Sequence, residues 1–277
     1  MERVVTKRDV REFWEDHFLY SFETGDVSPE KMDREFFLLL DSIKSSDVEV
    51  FSSHFWEFEK AKGKKVLDVG CGNGWLVRNF AKNGADVTGV DLTRKGAFLT
   101  RRSLGVFGYQ GRAFVADAEA LPFKAGSFDV VSCSGVLHHT VSPEAGIDEI
   151  YRVLKPRGVA YVSLYYKNLL LRRLVFPLTM LVFNLLRVNP PGREEMKGSR
   201  SVEDFVRRYD GDRNPKGIAY DRTECARFFQ RFRIMRRELH YFPSRFIHNG
   251  LLKRFHRLLD RHLGTMVFVK LEKPEDA

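Results

Sequence analysis

The chain has 277 residues, 43% of them hydrophobic and 13% aromatic, which suits one large folded domain with an appendage and excludes a disordered polypeptide. Its 46 basic and 37 acidic side chains leave a formal charge of +9, unevenly placed: residues 1–186 carry 25 basic and 24 acidic groups, residues 187–277 carry 21 and 13. Such a basic final third suits a solvated surface or an anionic partner. The cysteines Cys71, Cys133 and Cys225 show no CxxC and no paired spacing, so reduced thiols in a cytoplasmic protein are expected, and no metal site.

The N-terminal MERVVTKRDVREFW is charged throughout and lacks an apolar signal core. Over residues 5–60 the periodicity is mainly helical, with Val10, Phe13, Trp14, Phe18 and Leu19 at helical spacing. Residues 1–61 are therefore expected to form a helical cap, with Trp14, Phe18 and Tyr20 available as a lid. From residue 64 strands alternate with helices, the pattern of a covered parallel sheet. Strands are expected at 65–69, 86–91, 112–116, 128–133 and 158–164, with helices at about 75–83, 94–105 and 143–154. The rhythm stops at 166–222, an insertion holding an apolar helix over 168–187 and the short helix SVEDFVRRY. It resumes with helix 222–230, strand 231–241, helix 248–261 and strand 265–272, the last two strands antiparallel at a sheet edge.

The helix LLLRRLVFPLTMLVFNLLRV is apolar nearly all round, with Arg172, Arg173 and Arg187 at its ends. Such a helix is buried, bound to a partner or laid on a membrane surface. Its longest apolar run, Leu174 to Leu186, is 13 residues and contains Pro177 and Asn184, against the roughly 20 that span a bilayer.

Chemistry concentrates at the strand ends. Gly70, Gly72 and Gly74 follow the first strand, and a helix opens at Trp75, so backbone amides converge above the strand. A dinucleotide fingerprint requires G-x-G-x-x-G, but Trp75 stands where its third glycine belongs. Asp68 lies within the strand, Asp91 ends the second strand about 20 residues on, and Asp117 ends the third. Three acids in register around a glycine loop suit a cationic, amino-bearing nucleoside better than a pyrophosphate.

The ordered set VLDVGCGNGW, VTGVDLT, ADAEALPF, FDVVSCSGVLHHT and YRVLKPRGVAYVSL resembles the motifs of class I S-adenosylmethionine-dependent methyltransferases. It is most similar to the group that includes the ubiquinone and menaquinone C-methyltransferases and many small-molecule methyltransferases. The resemblance covers roughly residues 62–166. It implies an α/β, Rossmann-like, doubly wound and mostly parallel seven-stranded sheet over 62–277, with the N-terminal helical cap and the insertion after the fifth strand. It also implies S-adenosylmethionine as cofactor and S-adenosylhomocysteine as product. Gly70, Cys71, Gly72, Asn73 and Gly74 would wrap the methionine part, with Asp68 at its amino group. Asp91 would hold the ribose hydroxyls and Leu92 would pack on the adenine. Asp117, Ala118 and Glu119 would surround the adenine edge, while Ser134 and Gly135 would line the path near the sulfonium.

His138 and His139 are the candidate bases should the methyl acceptor have to lose a proton. Tyr165 and Tyr166 after the fifth strand, Trp14 and Tyr20 in the cap, and Arg213 and Asn214 in the turn-rich DGDRNP are candidate acceptor contacts. The expected partner is a small-molecule acceptor, apolar or lipid-like, with peripheral membrane contact through 168–187. The alternatives are a nucleic-acid methyltransferase using the basic third and a non-catalytic cofactor-binding protein. SGVLHH after the fourth strand, instead of a D/N-P-P-Y/F segment, weighs against nucleic acid.

Overall fold

The computed structural model describes residues 4–25, 27–185, 192–242 and 255–275. A seven-stranded sheet runs in the order β3-β2-β1-β4-β5-β7-β6. Its strands are β1 (Lys65–Val69), β2 (Asp86–Asp91), β3 (Arg112–Val115), β4 (Phe128–Ser134), β5 (Leu154–Tyr165), β6 (Arg233–His240) and β7 (Met266–Glu272). The first five are parallel, and β7 lies antiparallel between β5 and β6. Chain direction across the sheet reverses between β1 and β4, which opens a crevice beyond their carboxyl ends. The α/β doubly wound expectation holds.

Alternation within the strands divides the core. Val66 joins Trp56, Phe80 and Phe268 on one face, while Leu67 and Val69 join Val131, Ile150, Val162 and Val267 on the other. The covering helices begin where local chemistry allows. Helix α3 (Trp75–Lys82) follows Gly74 in the left-handed conformation, and α4 (Arg94–Phe107) is capped by Thr93, whose hydroxyl accepts from the Gly96 amide. Helix α5 (Pro143–Val153) starts on Ser142 with proline in its first turn.

The cap contains α1 (Lys7–Asp16), opened by a reciprocal Thr6–Asp9 capping box, and α2 (Arg34–Ser46). Phe18, Tyr20, Phe36, Phe37 and Leu40 pack with Leu99 of α4. Helix α1 is tied at both ends. Lys7 Nζ lies 2.6 Å from Asp117 Oδ2 and 2.8 Å from Glu119 Oε2, and the Glu15 carboxylate accepts from the Arg94 and Lys95 amides at 2.8 and 2.9 Å. Further along the cap Trp56 is fully buried, and its Nε1–H donates to Glu49 Oε2 at 3.0 Å.

One expectation about the insertion needs correction. The apolar segment is not one helix over 168–187. Asn168 caps a single turn at Leu169–Leu171, and helix α6 (Phe176–Leu185) begins only beyond it. Pro177 lacks an N–H and is accommodated in a first helical turn, so the helix starts at its door. Nor is α6 enclosed. Phe176 and Met180 are buried, whereas Leu174 is 95% exposed and Leu178, Leu181 and Leu185 are 61%, 55% and 72% exposed. Arg187 lies outside the described residues. Helix α7 (Arg222–Phe228) carries a capping box from Asp221, and α8 (His256–Leu263) is the described part of the helix expected over 248–261. Residues 248–254 of that expectation lie outside the described residues. Among the described residues, no helix is long and apolar enough to cross a membrane.

Candidate functional site

One cavity occupies the crevice beyond β1, β2, β4 and β5, walled by α1 on one side and by Arg193, Tyr209 and Asp210 of the insertion on another. Asp68 reaches it from β1 while 2% exposed, and in the sheet register it stands opposite Ser132, whose hydroxyl donates to Oδ1 at 2.6 Å. Burial pushes the Asp68 carboxyl up to about 7, against the opposing pull of the Ser132 bond and of Lys44. Burial also raises Asp91, against its bonds from Thr93 and Gly72. Asp91 accepts from the Gly72 amide at 2.9 Å and from Thr93 N and Oγ1 at 2.9 and 2.6 Å. The end of β2 thereby fixes the glycine loop that follows β1.

The backbone around these carboxylates leaves room for a ligand. Gly72 adopts φ +49°, and a Cβ built there would meet no atom within 4 Å, so its face opens on free space. Gly96 has the opposite surroundings: a Cβ there would fall 2.4 Å from the Asp91 carboxyl carbon. That glycine lets the first turn of α4 rest on Asp91, a requirement that no spacing rule in the sequence signals. Gly135 lines the same cavity, and its amide donates to Ser163 Oγ at 3.0 Å.

Most expected cofactor residues converge here: Asp68, Gly70, Cys71, Gly72, Asn73, Asp91, Leu92, Asp117, Ala118, Glu119, Ser134 and Gly135 line the cavity. Gly74 does not; it sits against Thr100 of α4 at the helix entry. Trp14, Tyr20, Tyr165, His138 and His139 also line it. Tyr166 faces away and packs under the Arg237 guanidinium. Arg213 is exposed, and Asn214 is wholly buried outside the cavity, its amide donating to the Arg207 carbonyl at 2.9 Å. The turn that sequence composition marks at 210–215 thus points its first residue inward and spends the others on its own fold.

That first residue, Asp210, is one the sequence reading passed over, as it did Lys7, Lys44 and Arg193. Asp210 Oδ2 accepts from the Tyr165 hydroxyl at 2.6 Å and lies 3.3 Å from His139 Nε2. Burial raises the Asp210 carboxyl, but His139, Tyr165 and Arg193 outweigh it and the net direction is downward. The two histidines differ. His138 Nδ1 accepts from the Tyr165 amide at 3.2 Å, so its proton resides on Nε2, and burial holds the ring neutral. His139 Nδ1 lies 2.5 Å from the Lys216 carbonyl, and Trp14 of α1 packs edge-on against its ring at 5.0 Å.

Residues 67–162 match the family model described as a methyltransferase domain. The ubiquinone biosynthesis O-methyltransferase of Azoarcus sp. (strain BH72) is 38% identical over 107 residues, 38% of this chain and 46% of the relative. The matched stretch thus spans about half the length of that curated relative. Among solved structures, an S-adenosylmethionine-dependent methyltransferase from Methanosarcina mazei superposes with a TM-score of 0.54 at 19% identity, covering 77% of this chain and 93% of that one. A [4+2]-cyclase superposes equally well, with a TM-score of 0.54 at 16% identity and 80% of each chain covered. At such identities the likeness establishes the fold, and a cyclase on the same fold shows that the reaction must be argued from the site.

Proposed function

We propose that the chain, whose residues 67–162 match the methyltransferase-domain family, is an enzyme transferring the methyl group of S-adenosylmethionine to an oxygen of a small, apolar acceptor. The observation that carries the reading is the buried Asp68 and the half-buried Asp91 flanking a glycine loop whose Gly72 faces open space. A cationic amine and vicinal hydroxyls are the groups such acids would hold. When bound, S-adenosylmethionine supplies a methyl group on a sulfonium, open to in-line displacement. Asp68 takes the amino group, Asp91 the ribose hydroxyls, Asp117 and Glu119 the adenine edge, and Ser134 and Gly135 border the reacting centre. The cap over 1–61 and the insertion over 166–222 exclude water and align the acceptor, the main service an enzyme gives a displacement. Oxygen as the target draws on the curated relative's printed name.

The test uses Asp68. A carboxyl poised near 7 must be ionised to receive an ammonium, so cofactor affinity should fall about tenfold per pH unit as pH drops below about 7 and level off above it. Calorimetry between pH 6 and 8 reads the slope, and Asp68→Asn should flatten it. A slope absent in the unsubstituted chain would refute the assignment.

We also infer that α6 rests on an anionic membrane surface. Leu174, Leu178, Leu181 and Leu185 are exposed and follow the exposed Arg172 and Arg173 in the chain, a composition that suits acyl chains beneath acidic headgroups. Replacing Leu178, Leu181 and Leu185 by serine should lower co-sedimentation with phosphatidylglycerol vesicles by about tenfold or more. Equal sedimentation of the two proteins would reject the idea.

A further inference from the structure

We propose that Asp210 takes the proton from a phenolic hydroxyl of the methyl acceptor. The inference rests on the reading of methyl transfer to oxygen and adds the acceptor class and the proton's destination. Three observations lead to it, and the first is a vacancy on the carboxylate. Both Asp210 contacts fall on Oδ2, and Oδ1 receives no hydrogen bond from any described residue. Asp210 lines the cavity, so Oδ1 is the carboxylate oxygen left for a ligand there.

The second observation removes the histidines as bases. His138 has its Nδ1 lone pair occupied by the Tyr165 amide, which leaves Nε2–H as a donor. His139 faces an oxygen acceptor from each nitrogen, the Lys216 carbonyl and Asp210. With both nitrogens directed at protein oxygens, neither is turned toward an incoming hydroxyl. The acids on the cofactor side are engaged as well: Asp68 by Ser132, Asp91 by Gly72 and Thr93, and Asp117 and Glu119 by Lys7.

The third is the shape and chemistry of the surround. Trp14, His139, His138, Tyr165 and Tyr209 present ring faces and edges next to Asp210, which favours a flat aromatic acceptor. In the transfer, the hydroxyl oxygen forms a bond to the methyl carbon while the carbon–sulfur bond breaks and its electron pair stays on sulfur. The hydroxyl proton passes to Asp210 Oδ1. That hydroxyl becomes strongly acidic as the new bond forms, so a carboxylate of low basicity suffices. His139, Tyr165, Tyr209, Tyr241 and Arg193 face this carboxylate, and His139 and Arg193 keep it ionised at neutral pH.

The experiment compares 4-propylphenol, neutral at pH 7, with 4-nitrophenol, largely ionised just above it. Calorimetry first establishes that S-adenosylmethionine binds the unsubstituted chain and Asp210→Asn alike. Asp210→Asn should then slow methylation of 4-propylphenol by about 100-fold and that of 4-nitrophenol by less than about tenfold, because only the first needs a base. Independently of turnover, 4-nitrophenol bound in the presence of S-adenosylhomocysteine should titrate at higher pH in the unsubstituted chain than in Asp210→Asn, read from its phenolate absorbance. Equal slowing of both phenols, or coincident titrations, overturns the proposal. Should Asp210→Asn fail to fold, the unsubstituted chain still decides. Rates that follow only the ionised fraction across a series of substituted phenols, or no methylation of any phenol, would sink Asp210 as the base. If S-adenosylmethionine does not bind the unsubstituted chain, the parent reading is what fails.

Discussion

Asp91→Ala is expected to weaken S-adenosylmethionine binding by about 100-fold or more, measured by calorimetry against the unsubstituted chain. Hydrogen bonds to a charged group contribute roughly 1.5–3 kcal/mol each, and two ribose hydroxyls sharing one carboxylate would lose both, at about 1.4 kcal/mol per factor of ten. The substitution also frees the Gly72 amide and both Thr93 donors, so the loop after β1 loses its tie to β2. Asp91→Asn keeps an acceptor for part of that set and should weaken binding less than alanine does. Unchanged affinity in Asp91→Ala would remove the ribose role from this residue.

The second large effect lies in stability. Trp56→Ala should cost about 3–5 kcal/mol, the range for deleting a fully buried large aromatic side chain. Trp56 packs edge-to-face on Phe55 and Phe268, so its loss opens the contact between the cap and β7. Its indole also donates to Oε2 of Glu49, itself 2% exposed, which takes a second bond from the Ser52 hydroxyl. Trp56→Phe separates the contributions, because it retains most of the ring and removes the donor; about 1–3 kcal/mol should follow from that alone. Urea titrations read both variants, and a loss below about 1 kcal/mol for alanine would show that the cap carries little of the fold's stability.

The parallel half of the sheet was open to reading because each of its strands announces itself locally. Val66, Leu67 and Val69 are apolar on both faces, and a glycine or acid ends the strand where the chain must turn. The same locality exposed Asp68 and Asp91. Asp210 escaped because its importance comes from what lies 45 residues earlier, at Tyr165, and 71 residues earlier, at His139. Lys7 escaped for the same reason: its partner Asp117 is 110 residues away in sequence. The apolar stretch around α6 left its surroundings open for a different reason. Composition records how apolar a helix is but not which side the fold leaves uncovered. The basic excess of the final third also reads differently in three dimensions, since Arg231 pairs with Asp148, Arg233 with Glu272 and Arg236 with Glu238.

Helix α1 touches Asp117 and Glu119 through Lys7 and the acceptor-side rings through Trp14, two contacts separated by seven residues, or about 10 Å of helix. A ligand that displaces Lys7 from the acids is expected to shift Trp14 on the same helix, and thermodynamic linkage would make that influence mutual. Each ligand should dissociate more slowly when its counterpart is present than when it is bound alone.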